Sequence, residues 1–326
     1  MQAQLVTKIL SKYNLKLEKI FPIQKGYRNI IVPVQLKDKR KIAIVVYKNE
    51  DQILNRIRNI HSITDYLRLK RFPVRSVIQD KKRKILTLKY PDRKTRYICL
   101  YYYLPGKTIC WEAYTMKHIK LLGKTMSDMH AALADFSSDA SKFEKSTDIL
   151  NRLHQDVVRY FSKKSVKKAM KKKLGITINI EKIKRFDDLF FKLSSLPNQQ
   201  PLHLDFVRSN ILFDKNKSGN LNISGVLDFE KAAIGPTIID VARTLAFLIV
   251  DCKYKPEIKV RKYFLHSGYK KHGKLELKNL DLLNPLMEFF WLYDFYKFLL
   301  HNPYEDLPNN EHFVRTINRT SSYIQQ

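Results

Sequence analysis

Three polar side chains between positions 203 and 228 have the types and spacing that could handle a proton and a divalent metal ion. Asp205 and Asn210 interrupt the otherwise apolar, strand-like stretch HLDFVRSNILF, and Asp228 follows in GVLDFE, 18 residues after Asn210. A carboxylate at a strand end can accept a proton from an attacking hydroxyl, and carboxylate and amide oxygens are the ligands that Mg²⁺ prefers. Each residue alone would be read as an ordinary polar loop residue, whereas the combination predicts a reactive site.

The spacing H-x-D-x-x-x-x-N, from His203 to Asn210, is that of the catalytic loop of protein kinases, with Leu204 in place of the arginine. We expect His203 to brace this loop rather than to carry a proton. The polar stretch DKNKSGN, residues 214–220, is typical of a hairpin turn between two short strands. Such a hairpin would return the chain so that Asp228 can join Asn210 on one metal ion.

The elements that position these residues change in character along the chain. The stretches NIIVPVQL and IAIVVYK flank the charged turn KDKRK and predict a β-hairpin, and residues 50–70 have isoleucines at helical spacing. Further strands follow up to YYYLPG, after which long helical segments predominate. We therefore predict an α+β, two-lobed fold with a β-rich N-terminal lobe over residues 1–104 and a mainly helical C-terminal lobe over residues 105–326.

A nucleotide would need a phosphate clamp from the β-rich lobe. Lys48 ends the second hairpin strand, where a lysine can reach the α- and β-phosphates, although a surface lysine at a strand end is common. Gly26 is the only glycine in the preceding turn KGYRN, so a complete glycine-rich loop is absent.

Together these segments resemble the aminoglycoside phosphotransferase and choline kinase family, which has a protein-kinase-like fold. The resemblance covers roughly residues 20–300 and is most specific over residues 203–245. The stretch GYRNIIVPV is similar to the family's first hairpin, YYYLPG to its hinge, and GVLDFEKAAIGPTIIDVARTL to its metal-binding segment. Within the family, the motifs around Asp205 and Asp228 look nearest to bacterial type-II homoserine kinases.

The resemblance implies a role for each matching residue. Asp205 would be the catalytic base, Asn210 and Asp228 the Mg²⁺ ligands, and Asp240 the helix-start acid that braces the catalytic loop. The ATP-binding residues would lie in the hairpin and the hinge: Lys48, Gly26, Asn29, Tyr102, Tyr103 and Leu104. The implied activity is an ATP-dependent small-molecule kinase that phosphorylates a hydroxyl group of its substrate.

The sequence departs from the family pattern at the glutamate that usually pairs with the nucleotide-binding lysine. Its expected position falls near Ile60 or His61, and the nearby acids Glu50, Asp51 and Asp65 do not occupy it. A catalytically degenerate kinase fold that binds nucleotides or acts as a scaffold is therefore an alternative, although the intact Asp205, Asn210 and Asp228 oppose it.

Composition restricts the partners. The formal net charge is +30, with a dense basic cluster from Lys163 to Lys173, so nucleic-acid binding is a lower-ranked alternative without a recognisable reading motif. The three cysteines, without a CxxC pair, indicate a reducing compartment, and no segment resembles a signal peptide or membrane span. We expect a cytoplasmic protein with ATP, Mg²⁺ and a small hydroxyl compound as partners. The positive charge disfavours a polycationic substrate and suits an amino acid or an anionic compound.

Overall fold

The computed structural model describes residues 3–25, 29–79, 84–89, 95–136, 142–197, 199–252, 254–272 and 277–325. The chain divides into two compact units. The first comprises Met1–Lys107 with Leu212–Asp214 and Ser224–Glu230, and the second comprises Thr108–Ile211, Lys215–Ile223 and Lys231–Gln326. No helix within the described ranges is long and apolar enough to cross a bilayer.

Over its described residues, the first unit is built on antiparallel strands and two helices. Its elements are α1 (Ala3–Ser11), β1 (Leu17–Ile20), β2 (Gln24–Lys25), β3 (Asn29–Leu36), β4 (Lys41–Tyr47), α2 (Ile53–Leu69), β5 (Val77–Ile78), β6 (Leu86–Lys89) and β7 (Thr95–Tyr102). Over the described residues these strands form one sheet in the order β1-β3-β4-β7-β5, with β2 beside β3 and β6 beside β7. The predicted hairpin is confirmed: β3 and β4 are antiparallel, with Val32 opposite Ile44.

The alternation of side chains along β4 and β7 gives this sheet two apolar faces, because successive residues of a strand point to opposite sides. On one face Ile42, Ile44 and Leu100 pack with the buried residues of α1. On the other face Val45, Tyr47 and Tyr101 pack with Ile53 and Ile57 of α2. The second face therefore carries two tyrosines into the core beneath the helix.

The second unit is mainly helical. Its elements are α3 (Met116–Leu133), α4 (Ser146–Ser162), α5 (Lys164–Leu174), β8 (Thr177–Ile178), α6 (Ile180–Lys184), α7 (Phe186–Ser194), β9 (Gln200–Leu202), β12 (Ala233–Gly235), α8 (Ile238–Asp251), α9 (Glu257–Arg261), α10 (Lys270–His272), α11 (Leu283–His301), α12 (Glu311–Arg319) and β13 (Ile324–Gln325). Aromatic side chains fill its core. Phe295 of α11 stacks on Phe161 at 5.8 Å and on Phe313 at 5.7 Å between ring centroids.

Two short pairings frame the loop that carries Asp205. β9 is antiparallel to β12, with Leu202 opposite Ala233, so the chain before Asp205 is fixed to the segment that precedes α8. After Asn210 the chain forms β10 (Ile211–Lys215) and β11 (Leu221–Val226), which pair as a two-stranded sheet. The turn between them contains Gly219 at a positive φ of 76°, which confirms the predicted hairpin turn.

Candidate functional site

In the second unit, the backbone just before Asp205 is fixed by the carboxylate of Asp240. The N–H of His203 donates to Asp240 Oδ2 at 2.7 Å, and the N–H of Leu204 donates to Oδ1 at 2.6 Å. Leu204 has a φ of +56°, a left-handed conformation that is unfavourable for a branched side chain and is characteristic of functional sites. The two hydrogen bonds hold the chain in this conformation, which confirms that Asp240 braces the loop.

Asp240 is itself held by a buried histidine. His130 Nε2 lies 3.1 Å from Asp240 Oδ2, and His130 Nδ1 lies 2.5 Å from the hydroxyl of Tyr269. Burial alone would raise the pKa of Asp240, but its hydrogen bond to His130 and the charge of that imidazole lower the pKa below its ordinary value. Asp240 is therefore an ionised acceptor at neutral pH, as its two backbone bonds require.

His203 is a structural residue, as predicted. Its side chain is fully buried, and Nδ1 accepts the backbone N–H of Asp205 at 3.1 Å. His203 therefore helps to orient the backbone of Asp205.

The structure brings Asp205 and Asn210 together. Asn210 Nδ2 donates to the backbone oxygen of Asp205 at 2.9 Å and lies 3.3 Å from Asp205 Oδ2. This contact fixes the amide nitrogen, so that Oδ1, with Ser209 Oγ at 3.5 Å, is the atom of Asn210 that could bind a cation.

Two cations beside Asp205 have no counterpart in the sequence prediction. Lys231 Nζ lies 2.7 Å from Asp205 Oδ1, and Arg243 Nη2 lies 3.9 Å from the same oxygen. Arg243 is held between the rings of Phe247 and Phe290, 5.6 and 5.5 Å from their centroids, and its buried Nε has no hydrogen-bond partner among the described residues. Helical spacing could have indicated Arg243, because it follows Asp240 by three residues on α8 and shares its face.

In the first unit, Asp228 follows β11 in a strained conformation. Its φ is +61°, and its Oδ1 accepts the N–H of Glu230 at 3.2 Å. A non-glycine residue held in the left-handed region is uncommon and clusters at ligand and active sites.

A small pocket adjoins Asp228. The residues that line it all belong to the first unit, and they are Tyr47, Ile60, Thr64, Arg75, Tyr101, Val226, Asp228, Phe229 and Glu230. The side chain of Glu230 accepts a hydrogen bond from Asn29, so this predicted site residue contacts one residue of the pocket wall. The pocket thus combines two acids with one arginine.

The wall of this pocket contains a hydrogen-bonded chain of neutral groups. The hydroxyl of Tyr101 lies 2.7 Å from the hydroxyl of Tyr47 and 2.9 Å from His61 Nε2. Burial raises the pKa of both tyrosines well above the ordinary value and lowers the pKa of His61 to about 4. His61 is at the position where the sequence lacked a glutamate, so α2 meets the sheet through uncharged groups at this point.

Lys48 does not line this pocket. Its side chain is 64% exposed, and Nζ lies 3.7 Å from Glu50 Oε1. Asp65 of α2 binds Lys84 at 2.6 Å instead. Over the described residues, Lys48 therefore pairs with Glu50, in the segment between β4 and α2, and Asp65 of α2 is not its partner.

The remaining predicted nucleotide residues lie at the end of β7, except for Gly26, which is outside the described residues. The backbone N–H of Tyr102 donates to Ser76 O at 3.0 Å, and that of Tyr103 donates to Lys41 O at 3.2 Å. Both tyrosine side chains are exposed, and Leu104 lies beside Gly225. A nucleotide-binding role for these residues stays a prediction.

The common metal site of Asn210 and Asp228 also stays a prediction, because Asp228 belongs to the first unit and Asn210 to the second. Among the side chains the structure describes, no group of three or more His, Cys, Asp or Glu residues could hold a metal ion by itself.

A family model described as the phosphotransferase enzyme family matches residues 22–257. The chain belongs to this family. The match confirms the predicted family and the predicted enzyme class, a phosphotransferase that acts on a hydroxyl group. A particular similarity to homoserine kinases stays a prediction. A search of curated protein sequences found no significant match.

Solved structures of the same fold are similar over nearly the whole chain. An amicoumacin kinase in complex with AMP-PNP and Ca²⁺ has a TM-score of 0.70 at 14% identity, covering 99% of this chain and 94% of that one. An aminoglycoside phosphotransferase from Alicyclobacillus acidocaldarius has a TM-score of 0.65 at 12% identity, with coverages of 99% and 95%. A Plasmodium vivax ethanolamine kinase has a TM-score of 0.56 at 16% identity, with coverages of 95% and 82%. These similarities confirm the predicted α+β, protein-kinase-like fold.

Proposed function

We propose that this phosphotransferase is an ATP-dependent kinase that transfers the γ-phosphoryl group of ATP to a hydroxyl group of a small molecule. The proposal rests on the hydrogen bonds that fix the loop around Asp205. Two backbone hydrogen bonds to buried Asp240, one bond to His203 and one from Asn210 fix the backbone at Asp205, whose partly exposed carboxylate lies 3.3 Å from Asn210 Nδ2. Such rigidity is what positioning a nucleophile requires.

Asp205 is the catalytic base in this proposal. It accepts the proton of the acceptor hydroxyl as that oxygen attacks the γ-phosphorus, while ADP leaves. Lys231 and Arg243 place positive charge beside the same carboxylate, where the transferred phosphoryl group carries negative charge. Asp205 therefore combines a fixed backbone with two cations beside its Oδ1.

Asn210 and Asp228 would hold Mg²⁺. Both supply hard oxygen donors, and the fixed amide nitrogen of Asn210 leaves its oxygen for a cation. When bound, Mg²⁺ neutralises charge on the phosphate oxygens. ATP use agrees with the AMP-PNP bound in the amicoumacin kinase, although the metal in that structure is Ca²⁺. Asn29 and the hinge residues 102–104 remain the proposed nucleotide contacts, whereas the exposed Lys48 does not line the pocket beside Asp228. A cytoplasmic location remains a prediction.

For the acceptor, we propose a small hydroxyl compound that carries a carboxylate or another anionic group. A group next to the reacting hydroxyl would meet Arg243 and Lys231. The acids that could attract a cationic substrate are already engaged: Asp251 and Asp294 by His312, Glu288 by Tyr323, and Glu305 by Lys173. The charges therefore favour a hydroxy acid or a hydroxy amino acid over a polyamine.

The acceptor class can be tested with matched pairs of compounds. Phosphate transfer from ATP is measured for glycerate against glycerol, serine against ethanolamine, and homoserine against 3-aminopropanol. We expect transfer to the carboxylated member of at least one pair, and a loss of that preference in Arg243→Gln. Transfer to the amino alcohols alone would contradict the proposed acceptor class but would leave the kinase activity established.

A second candidate function is a catalytically degenerate kinase fold that binds nucleotides or acts as a scaffold. The neutral Tyr47–Tyr101–His61 chain, at the position of the usual ion pair, favours it. The discriminating result is tight ATP binding with no consumption of ATP in the presence of Mg²⁺ and the acceptor panel. A nucleic-acid partner ranks lower, because only the net charge favours it.

A further inference from the structure

The pocket beside Asp228 contains a cation that the sequence did not indicate. Arg75 follows Val74, which bridges to Val226, and the N–H of Val226 donates to Pro73 O at 2.8 Å. These backbone contacts fix Arg75 next to the segment that ends in Asp228. Among the described residues that line the pocket, Arg75 is the only one with a positive charge.

The guanidinium of Arg75 is held in place by stacking. Its Cζ lies 4.6 Å from the ring centroid of Tyr101. That ring is itself immobilised, because its hydroxyl is bonded to Tyr47 and to His61. A planar guanidinium held over an aromatic ring keeps its N–H groups directed outward and is pre-organised for an anion.

Arg75 is also not neutralised within the described part of the chain. The structure records no ion pair between Arg75 and a carboxylate of the described residues, although Asp228 and Glu230 line the same pocket. Glu230 is bound by Asn29, and Asp228 accepts the N–H of Glu230. A partly buried, unpaired guanidinium favours an anionic ligand that brings several oxygens, and a phosphate matches its donors.

Lys48, in contrast, is turned away from this pocket. Tyr47 precedes it and points inward beneath α2, whereas the ammonium of Lys48 is exposed beside Glu50. The side chain that enters the pocket from β4 is thus a neutral phenol, and the positive charge comes from Arg75 instead.

We infer that Arg75, rather than Lys48, anchors the phosphate chain of ATP in this protein. The inference rests on the proposed function, because it takes ATP as the ligand. It assigns the electrostatic part of nucleotide binding to a residue that lies between α2 and β5. The neutral Tyr47–Tyr101–His61 chain then supports this arginine and does not substitute for an ion pair.

The test compares ATP with adenosine, which lacks phosphates, by isothermal titration of the full-length chain. We expect Arg75→Gln to weaken ATP binding at least tenfold and to leave adenosine binding within twofold of wild type. Arg75→Lys, which keeps the charge, should recover part of the ATP affinity. Lys48→Gln, the matched control at the other candidate, should change ATP affinity less than twofold.

Several results would overturn the inference. These are ATP affinity within twofold of wild type in Arg75→Gln, an equal loss for adenosine, a tenfold loss in Lys48→Gln, or an Arg75→Lys variant that binds ATP as weakly as Arg75→Gln. An equal loss for adenosine would show that Arg75 only supports the fold. Failure of the proposed function is seen separately in the wild-type chain, which would then either bind no ATP or bind ATP without transferring phosphate to any acceptor.

Discussion

At the scale of single residues, the reactive loop depends on one buried carboxylate. Asp240 is 1% exposed and accepts two backbone N–H groups and the imidazole of His130. A buried charge with such partners is stabilising only while all partners are present, since removing one leaves an uncompensated group in the core. The position of Asp205 therefore depends on a residue 35 positions later in the chain.

We predict that Asp240→Asn lowers the free energy of unfolding by about 3 kcal/mol, because the amide NH₂ replaces one of the two accepting oxygens, so one backbone N–H loses its acceptor in the core. Urea unfolding followed by tryptophan fluorescence measures this, since Trp111 and Trp291 both lie in the second unit. The control, Asp188→Asn at an exposed position of α7, should stay within about 0.5 kcal/mol of wild type. An unchanged midpoint in Asp240→Asn would show that the loop does not need this acceptor.

At the same scale, residue types and spacing indicated the residues of the Asp205 loop but not Arg75 in the neighbouring pocket. His203, Asp205, Asn210 and Asp240 lie within one loop and one helix start, where spacing along the chain reflects spacing in the fold. Arg75 could not be predicted in this way, because tertiary contacts of the segment between α2 and β5 bring it to Asp228. No periodicity marks such a residue.

At the scale of elements, a glycine fixes the chain where β7 leads out of the sheet. Gly106 has a φ of +98°, and a Cβ there would lie 2.7 Å from Phe213 O and would also overlap Ser224 Oγ. Lys107 and Phe213 exchange both backbone hydrogen bonds at this point, at 3.0 and 2.9 Å. The close approach leaves no room for a side chain.

We predict that Gly106→Ala destabilises the protein by roughly 3 kcal/mol, through backbone strain and overpacking together. Gly219→Ala is the matched control, because Gly219 also has a positive φ, of 76°, but open space around it. The control should cost only about 1 kcal/mol, from the backbone alone. Thermal unfolding of both variants gives the comparison, and equal losses would refute the steric contribution at Gly106.

Helix α12 is attached to the second unit by a charged histidine. His312 lies 2.7 Å from Asp251 and 3.0 Å from Asp294, on α8 and α11. Burial alone would lower the pKa of His312, but the two carboxylates raise it to about 9. Because the folded pKa exceeds the unfolded value of about 6.5, this contribution is complete below pH 6.5 and is lost as the pH rises through 9.

We therefore predict that the wild-type chain loses on the order of 2 kcal/mol of stability between pH 6.5 and pH 9.5, and that His312→Gln loses much less over this range. The measurement is urea unfolding by tryptophan fluorescence at a series of pH values. His301→Gln, at an exposed position of α11, should keep the wild-type pH dependence. The same slope in His312→Gln as in wild type would contradict the assignment.

The elements themselves were largely predictable. Alternating β-branched residues marked β3 and β4, and isoleucines at helical spacing marked α2, because burial of one face imposes the period. The pairing of β4 with β7 could not be deduced in the same way, since it joins Ile44 to Leu100 across a long stretch of chain. The neutral contact between Tyr47, Tyr101 and His61 depends on that pairing.

At the scale of the whole molecule, the formal net charge of +30 is the most unusual property. Helix α5 concentrates it, with lysines on the exposed face and Val166 and Met170 buried. Lys173 is paired with Glu305 at 2.6 Å, whereas within the described part of the chain no such bond is recorded for the exposed lysines at 164, 167, 168, 171 and 172. A charged helix face of this kind attracts polyanions without recognising a sequence.

We predict that changing these five lysines to glutamine lowers the salt concentration at which the protein elutes from heparin and leaves ATP turnover unchanged. The net charge falls from +30 to +25, by one for each lysine replaced. Polyanion binding depends on the number of contacts between lysines and anionic groups, so the shift in elution measures how much these five lysines contribute to heparin binding. A loss of turnover in this variant would instead place α5 in the function of the enzyme.

The account as a whole depends on Asp205 acting as the base of a phosphoryl transfer. The most direct measurement is the rate at which Asp205→Asn transfers phosphate from ATP, compared with wild type, to an acceptor from the hydroxyl panel. We predict a fall in turnover of roughly 10²- to 10⁴-fold with unchanged affinity for ATP, because the amide cannot take up the proton but fits the same space. Near-normal turnover in Asp205→Asn would contradict the account.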